Sequence, residues 1–172
     1  MKNIVLCGFM GSGKSTIGRM LSEKLSMPLI DTDIYIEKKL NMTIPRIFEE
    51  KGENFFRQTE TQVCRELSEF DGYIISTGGG TLLNSENASV MREGGIIFLL
   101  NVSENTVLRR LKDDSTRPLL QRDDKEKAVH ELMTKRMPLY KRAADHIIDA
   151  QLPPNIVCKK IIEIFRGGEY DR

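Results

Sequence analysis

Gly8-Phe9-Met10-Gly11-Ser12-Gly13-Lys14-Ser15 has the spacing G-x-x-x-x-G-K-[ST]. Glycines at such positions let backbone N–H groups turn inward around phosphate oxygens. A helix starting at the lysine adds the partial positive charge of its N-terminus. Lys14 then reaches the outer phosphates of a nucleoside triphosphate, and Ser15 offers a hydroxyl to Mg²⁺. From average residue frequencies the spacing arises by chance in on the order of one in a hundred chains of this length. Its setting, an apolar run before and an amphipathic pattern after, is the strand–loop–helix context this motif requires. The motif alone does not separate a kinase from a GTPase, an ATPase motor or a nucleotide sensor. The absence of an Asn-Lys-x-Asp guanine motif disfavours a GTPase, and 172 residues leave no room for motor elements.

Further candidates lie downstream. Asp31-Thr32-Asp33 ends a short apolar run, and strand carboxyl ends are where open α/β sheets bind ligands. Two carboxylates beside a nucleotide suit Mg²⁺ ligation through water and acceptance of a hydroxyl proton. For Asp33 the alternative is a plain helix N-cap. Arg57 and Glu60 are three apart on one helical face, where an isolated pair is a surface ion pair of little energy. The aromatic bulk of Phe55-Phe56 is expected to pin this helix to the core and so to give Arg57 a defined direction. Gly78-Gly79-Gly80 is costly in chain entropy and calls for close approach of a ligand or of backbone. Arg117 sits in a charged loop placed to act as a lid over phosphates, with Arg109 and Arg110 just upstream. Arg136 lies on a long helix shortly before Pro138, which is expected to kink it.

The elements that must position these groups follow from periodicity. Strands are expected at Asn3–Cys7, Pro28–Asp31, Tyr73–Ser76, Ile96–Leu100 and His146–Asp149. Helices are expected at Lys14–Leu25, Thr32–Leu40, Ile44–Lys51, Glu53–Phe70, Glu86–Arg92, from a Ser103 cap to about Leu111, at Lys125–Arg142 and at Pro154–Phe165. Alternation of buried apolar strands with helices argues for an α/β fold with a parallel sheet covered on both faces. The expected organisation is one domain over 1–172: a core of 1–31, 71–111 and 125–166, acceptor-binding helices about 32–70, and a lid about 112–124. The polar tail Gly167–Arg172 is expected to fray.

Composition narrows the partners. With 26 basic and 25 acidic residues the net charge is +1, which gives no electrostatic footprint for nucleic acid or an anionic membrane. No apolar run approaches the roughly 20 residues that span a bilayer. The N-terminal apolar stretch is too short for a signal peptide and runs straight into the Gly8–Ser15 loop. Cys7, Cys64 and Cys158 are odd in number and scattered, as reduced thiols of a cytoplasmic protein are. His130 and His146 have no metal-ligand spacing and read as structural or surface residues. No heptad pattern demands an oligomer, so a monomer is expected.

Taken in order, these marks resemble the shikimate kinase family from end to end. The resemblance rests on Phe9-Met10-Gly11-Ser12-Gly13-Lys14-Ser15-Thr16, on Asp31-Thr32-Asp33, and on Gly52-Glu53 leading to Phe56-Arg57 and Glu60. It continues through Gly78–Gly80, Arg117-Pro118-Leu119-Leu120, and Arg136 with Pro138-Leu139-Tyr140. It implies a three-layer αβα fold, a five-stranded parallel sheet in the order 2-3-1-4-5, and a lid. It implies ATP-dependent phosphorylation of the shikimate 3-hydroxyl, with Mg²⁺. Gly11, Ser12, Gly13, Lys14, Ser15 and Thr16 would wrap the ATP phosphates, joined by Arg117. Ser15 would bind Mg²⁺ directly and Asp31 through water. Asp33, Arg57, Gly79 and Arg136 would hold shikimate, and Lys14, Asp33 and Arg117 would act in catalysis. The family often carries a basic residue after the fifth strand, near adenine. Ala150-Gln151-Leu152-Pro153-Pro154 has none, which leaves adenine to backbone and apolar packing. The competing readings are a gluconate or nucleoside monophosphate kinase, and a non-catalytic nucleotide-binding protein.

Overall fold

All five residues of Asn3–Cys7 are buried, as in a strand covered on both faces. This is β1. In the computed structural model, which describes residues 1–112 and 124–170, it lies at the centre of a parallel sheet. The other strands are β2 (Leu29–Asp31), β3 (Ile74–Ser76), β4 (Gly95–Asn101) and β5 (His146–Asp149). Their order is β2-β3-β1-β4-β5, as the resemblance implies. Val5 is level with Ile75 on one side and Ile97 on the other, and all three are fully buried. Asn3 is tolerated inside because its amide is satisfied: Nδ2 donates to the Phe70 carbonyl at 2.6 Å, and Oδ1 accepts from the Tyr73 amide at 2.9 Å.

The connections decide the layers. α1 (Lys14–Leu25) leads from β1 to β2. α2 (Thr32–Leu40), α3 (Ile44–Lys51) and α4 (Glu53–Ser68) lead from β2 to β3. α5 (Ser85–Gly94) leads to β4, and α6 (Glu104–Arg110) and α7 (Lys125–Ala143) lead to β5, with α8 (Pro154–Tyr170) last. Crossovers between parallel strands are right-handed. The step from β1 to β2 runs one way across the sheet, whereas the steps from β2 to β3, β3 to β4 and β4 to β5 run the other way. Hence α1 lies on one face and α4, α5 and α7 on the other. The packing agrees: α1 contacts α8, and α4 and α7 both contact α5. The direction changes between β1 and β3, so the crevice for a ligand opens at their carboxyl ends.

Pro138 lies inside α7, within the helix expected at Lys125–Arg142. Two expectations change. α8 continues to Tyr170 rather than stopping at Phe165. The edge strands are less buried than the central ones, with Leu29 37% and Ile147 51% exposed, because each has a sheet neighbour on one side alone. Most of the expected lid, including Arg117, lies outside the described residues. All three cysteines are buried and unpaired, and burial pushes the Cys7 and Cys64 thiols up to about 12, which makes both inert.

Candidate active site

The Gly8–Ser15 loop follows β1. Gly13 occupies the N-cap of α1 at φ 97°, a left-handed conformation that suits glycine, and provides no side-chain cap. The first amides of α1 therefore have no side-chain acceptor and face the crevice as anion donors. Lys14 Nζ donates to the carbonyls of Gly8 at 2.6 Å and Phe9 at 3.2 Å, which holds its ammonium across the loop. Gly11, Gly13, Lys14, Ser15 and Thr16 line one cavity of about 240 Å³. Ser12 is placed differently: it is buried, its amide donates to the Phe9 carbonyl at 3.1 Å, and it lines a second cavity.

Asp31, Asp33 and Gly79 line that same first cavity. The N-cap of α2 is Asp31, not Asp33. Its Oδ1 accepts from the amides of Asp33 at 3.0 Å and Ile34 at 3.1 Å. Asp33, one residue into the helix, is thereby left to face the cavity. Burial, with the nearby Asp31, Glu60 and Glu37 carboxylates, pushes its pKa up to about 6, against the opposing pull of Lys14.

The three glycines find their reason here. None has a positive φ, so what demands glycine at Gly78 and Gly80 is space. A Cβ on Gly78 would stand 2.5 Å from Asp33 Oδ1, and one on Gly80 would stand 2.7 Å from Arg57 Nη1. One on Gly79 would meet Arg136 Nη1 at 3.8 Å. The loop after β3 is thus the backbone against which Asp33, Arg57 and Arg136 converge from α2, α4 and α7. Arg57 Nη1 donates to Glu60 Oε2 at 2.6 Å, and Thr81 Oγ1 donates to Glu60 Oε1 at 2.7 Å. Glu60 is 2% exposed while the Arg57 side chain is 40% exposed, so the pair is half-buried, with a buried carboxylate, rather than the fully exposed ion pair its spacing alone suggests. Burial opposes the Arg57 charge, but Glu60 and Glu53 outweigh it and hold its pKa above the ordinary value. Phe56 is buried and carries the Arg57 guanidinium 5.3 Å from its ring centre.

Arg110 is the residue that sequence reasoning set aside as a neighbour of the lid. It lies against the second cavity, of about 220 Å³, with Ala150, Leu152 and Pro154. Its Nη1 donates to the Gly11 carbonyl at 3.0 Å and its Nη2 to the Ala150 carbonyl at 3.1 Å. A basic side chain therefore reaches this cavity from the last turn of α6, where the loop after β5 has none. No periodicity announces this, because the contact depends on how α6 docks on the phosphate loop.

Among the described residues no cluster of three or more His, Cys, Asp or Glu could hold a metal alone. Ser15 and Asp31, with oxygen donors in one cavity, fit Mg²⁺, which takes one or two protein oxygens and completes its shell with water and phosphate. His130 pairs with Glu104 and His146 stacks on Phe98, and neither lines the two cavities.

Comparison with known proteins gives a consistent result. A sequence model of the family described as shikimate kinase matches residues 10–166. A shikimate kinase of Caldicellulosiruptor bescii is 48% identical over 172 residues, covering all of both chains. The structure of a shikimate kinase from Acinetobacter baumannii, solved in complex with shikimate, superposes with a TM-score of 0.89 at 36% identity, over 98% of this chain and 94% of that one. A shikimate kinase from Aquifex aeolicus superposes with a TM-score of 0.84 at 38% identity, over 97% and 98%.

Proposed function

The chain belongs to the shikimate kinase family, and on that premise we propose how its residues transfer the γ-phosphoryl group of ATP to the 3-hydroxyl of shikimate. The observation that carries the reading is that one cavity joins Lys14 and Ser15 to Asp33 and Gly79, with Arg57 and Arg136 at the glycine loop. Arg57 and Arg136 bind the shikimate carboxylate, since a guanidinium fork matches its two oxygens. Asp33 accepts hydrogen bonds from the ring hydroxyls and takes the proton of the 3-hydroxyl as that oxygen bonds to the γ-phosphorus. The bond from phosphorus to the β,γ-bridging oxygen breaks, and ADP leaves with the electron pair. The amides of Gly11–Thr16 and the Lys14 ammonium bind the phosphates, and positioning with charge neutralisation supplies most of the rate. Mg²⁺, when bound with ATP, neutralises phosphate charge, and Ser15 directly and Asp31 through water would hold it. Arg117 is assigned to the phosphates by the family resemblance. Arg110 with Leu152 and Pro154 forms the adenine end. We further propose a monomer acting in the cytoplasm on small molecules. Among the described residues no helix is long and apolar enough to cross a membrane.

The test is ADP release with shikimate, gluconate and nucleoside monophosphates as acceptors. Turnover with shikimate alone is expected, and its absence would overturn the reading in favour of whichever acceptor is used. Two substitutions separate the halves of the site. Arg136→Ala is expected to raise the shikimate KM by about 30–100-fold, the loss of a charge-assisted contact, with the ATP KM within twofold. Arg110→Ala is expected to raise the ATP KM by about three- to tenfold with the shikimate KM unchanged. Initial rates against each substrate check both, and a joint rise in either variant would make that arginine structural.

A further inference from the structure

Arg136 and Tyr140 are one helical turn apart on α7 and so share a face. That face meets the Gly78–Gly80 loop. The Tyr140 hydroxyl donates to the Gly79 carbonyl oxygen. A Cβ on Gly79 would stand 3.8 Å from Arg136 Nη1 and 3.9 Å from Tyr140 Oη, so both groups flank the same peptide. Tyr140 is 1% exposed. Burial raises the pKa of its phenol, against the pull of the adjacent Arg136, and it stays a neutral donor throughout the working pH range. The other side of the peptide is different. Among the described residues no protein group accepts from the N–H of Gly79 or Gly80, and Gly79 lines the cavity. An amide without a protein acceptor at a cavity wall is a donor kept for a ligand.

We propose that Tyr140 is a positioning residue of the acceptor site: its hydroxyl fixes the Gly79 peptide so that the N–H faces shikimate, and it sets Arg136 against the carboxylate. This rests on the reading of Gly79 and Arg136 as shikimate contacts. The ring of Tyr140 fills core volume whether or not the hydroxyl is present, so Tyr140→Phe isolates the oxygen.

Tyr140→Phe is expected to raise the shikimate KM about tenfold, the effect of a buried carbonyl losing its donor and an arginine losing its neighbour. The ATP KM and kcat should stay within twofold, and the thermal midpoint should fall by a few degrees at most. In an Arg136→Ala background the same change should raise the shikimate KM by a clearly smaller factor, about threefold, because the part of its effect that runs through Arg136 is already gone and the part that runs through the Gly79 peptide remains. A tenfold effect in both backgrounds, an unmoved shikimate KM, or a joint rise for ATP and shikimate would overturn the proposal while wild-type shikimate turnover stands. Absence of wild-type turnover with shikimate would overturn the acceptor reading and this inference with it.

Discussion

Asp33→Asn is expected to cut shikimate turnover by about 10²–10⁴-fold, the usual worth of a positioned general base, while making the substrate-free protein more stable at neutral pH. The second effect follows from the first role. Burial and the neighbouring Asp31, Glu60 and Glu37 carboxylates raise the Asp33 pKa from 3.8 to about 6. A carboxyl group whose pKa is raised by folding binds its proton more tightly in the native state. Native stability then falls as pH rises from about 4 to about 6 and stays lowered above that. With allowance for partial solvent screening, the penalty is about 1–3 kcal/mol. Asparagine has nearly the same shape and no charge, so it removes the penalty. Urea unfolding of wild type and variant is expected to differ little near about pH 4 and by this amount near about pH 8. In the wild type, kcat/KM for shikimate should rise with pH through about 6, and the variant should lack that limb. Near-normal turnover of the variant at saturating substrate would rule out an essential base. An equal stability difference at both pH values would remove the raised pKa from the argument.

The contrast between the two aspartates shows where sequence reading stops. Asp31 and Asp33 carry the same side chain two residues apart, and either could cap α2. Which one does so depends on where the helix begins, and boundaries are set by local hydrogen bonds that a pattern does not resolve. Motifs bound to one loop were legible: Gly8–Ser15 needs only its own strand and helix, and the five strands with their central burial follow from short apolar runs. Groups that act through tertiary docking were not. Arg110 reaches the second cavity because α6 packs against the phosphate loop. Glu60 is buried because α4 lays it beside Thr81. The spacing of Arg57 and Glu60 is the same for a solvated pair and for a half-buried one, so burial alone separates the two. The glycine triplet was visible as an anomaly, but its cause, three side chains arriving from three helices, is a property of the assembled fold.

That cause makes a graded set of substitutions informative, and the largest effect is expected at Gly78. An alanine there places its Cβ 2.5 Å from Asp33 Oδ1 and 3.0 Å from Thr81 Oγ1. An alanine at Gly80 meets Arg57 Nη1 at 2.7 Å. The atoms that must yield are the ends of flexible side chains rather than backbone, so the fold should survive at a cost of about 1–2 kcal/mol. The function should not survive, because those ends are the groups proposed to hold shikimate. Displacement of a positioning group by about 1 Å costs on the order of 10²-fold, and Gly78→Ala also displaces the proposed base. Its kcat/KM for shikimate is expected to fall about 10²–10³-fold, with Gly80→Ala losing about 10²-fold through KM. Nucleotide binding depends on the opposite wall and should stay within twofold in both, as measured by titration with ADP. Gly79→Ala is the internal control. Its Cβ would make ordinary contacts at 3.8 and 3.9 Å with Arg136 and Tyr140, so the protein itself tolerates it, and any loss of shikimate use there measures space that the substrate occupies. Equal losses of ADP binding in the Gly78 and Gly80 variants would mean that the loop after β3 supports the whole crevice rather than its acceptor half.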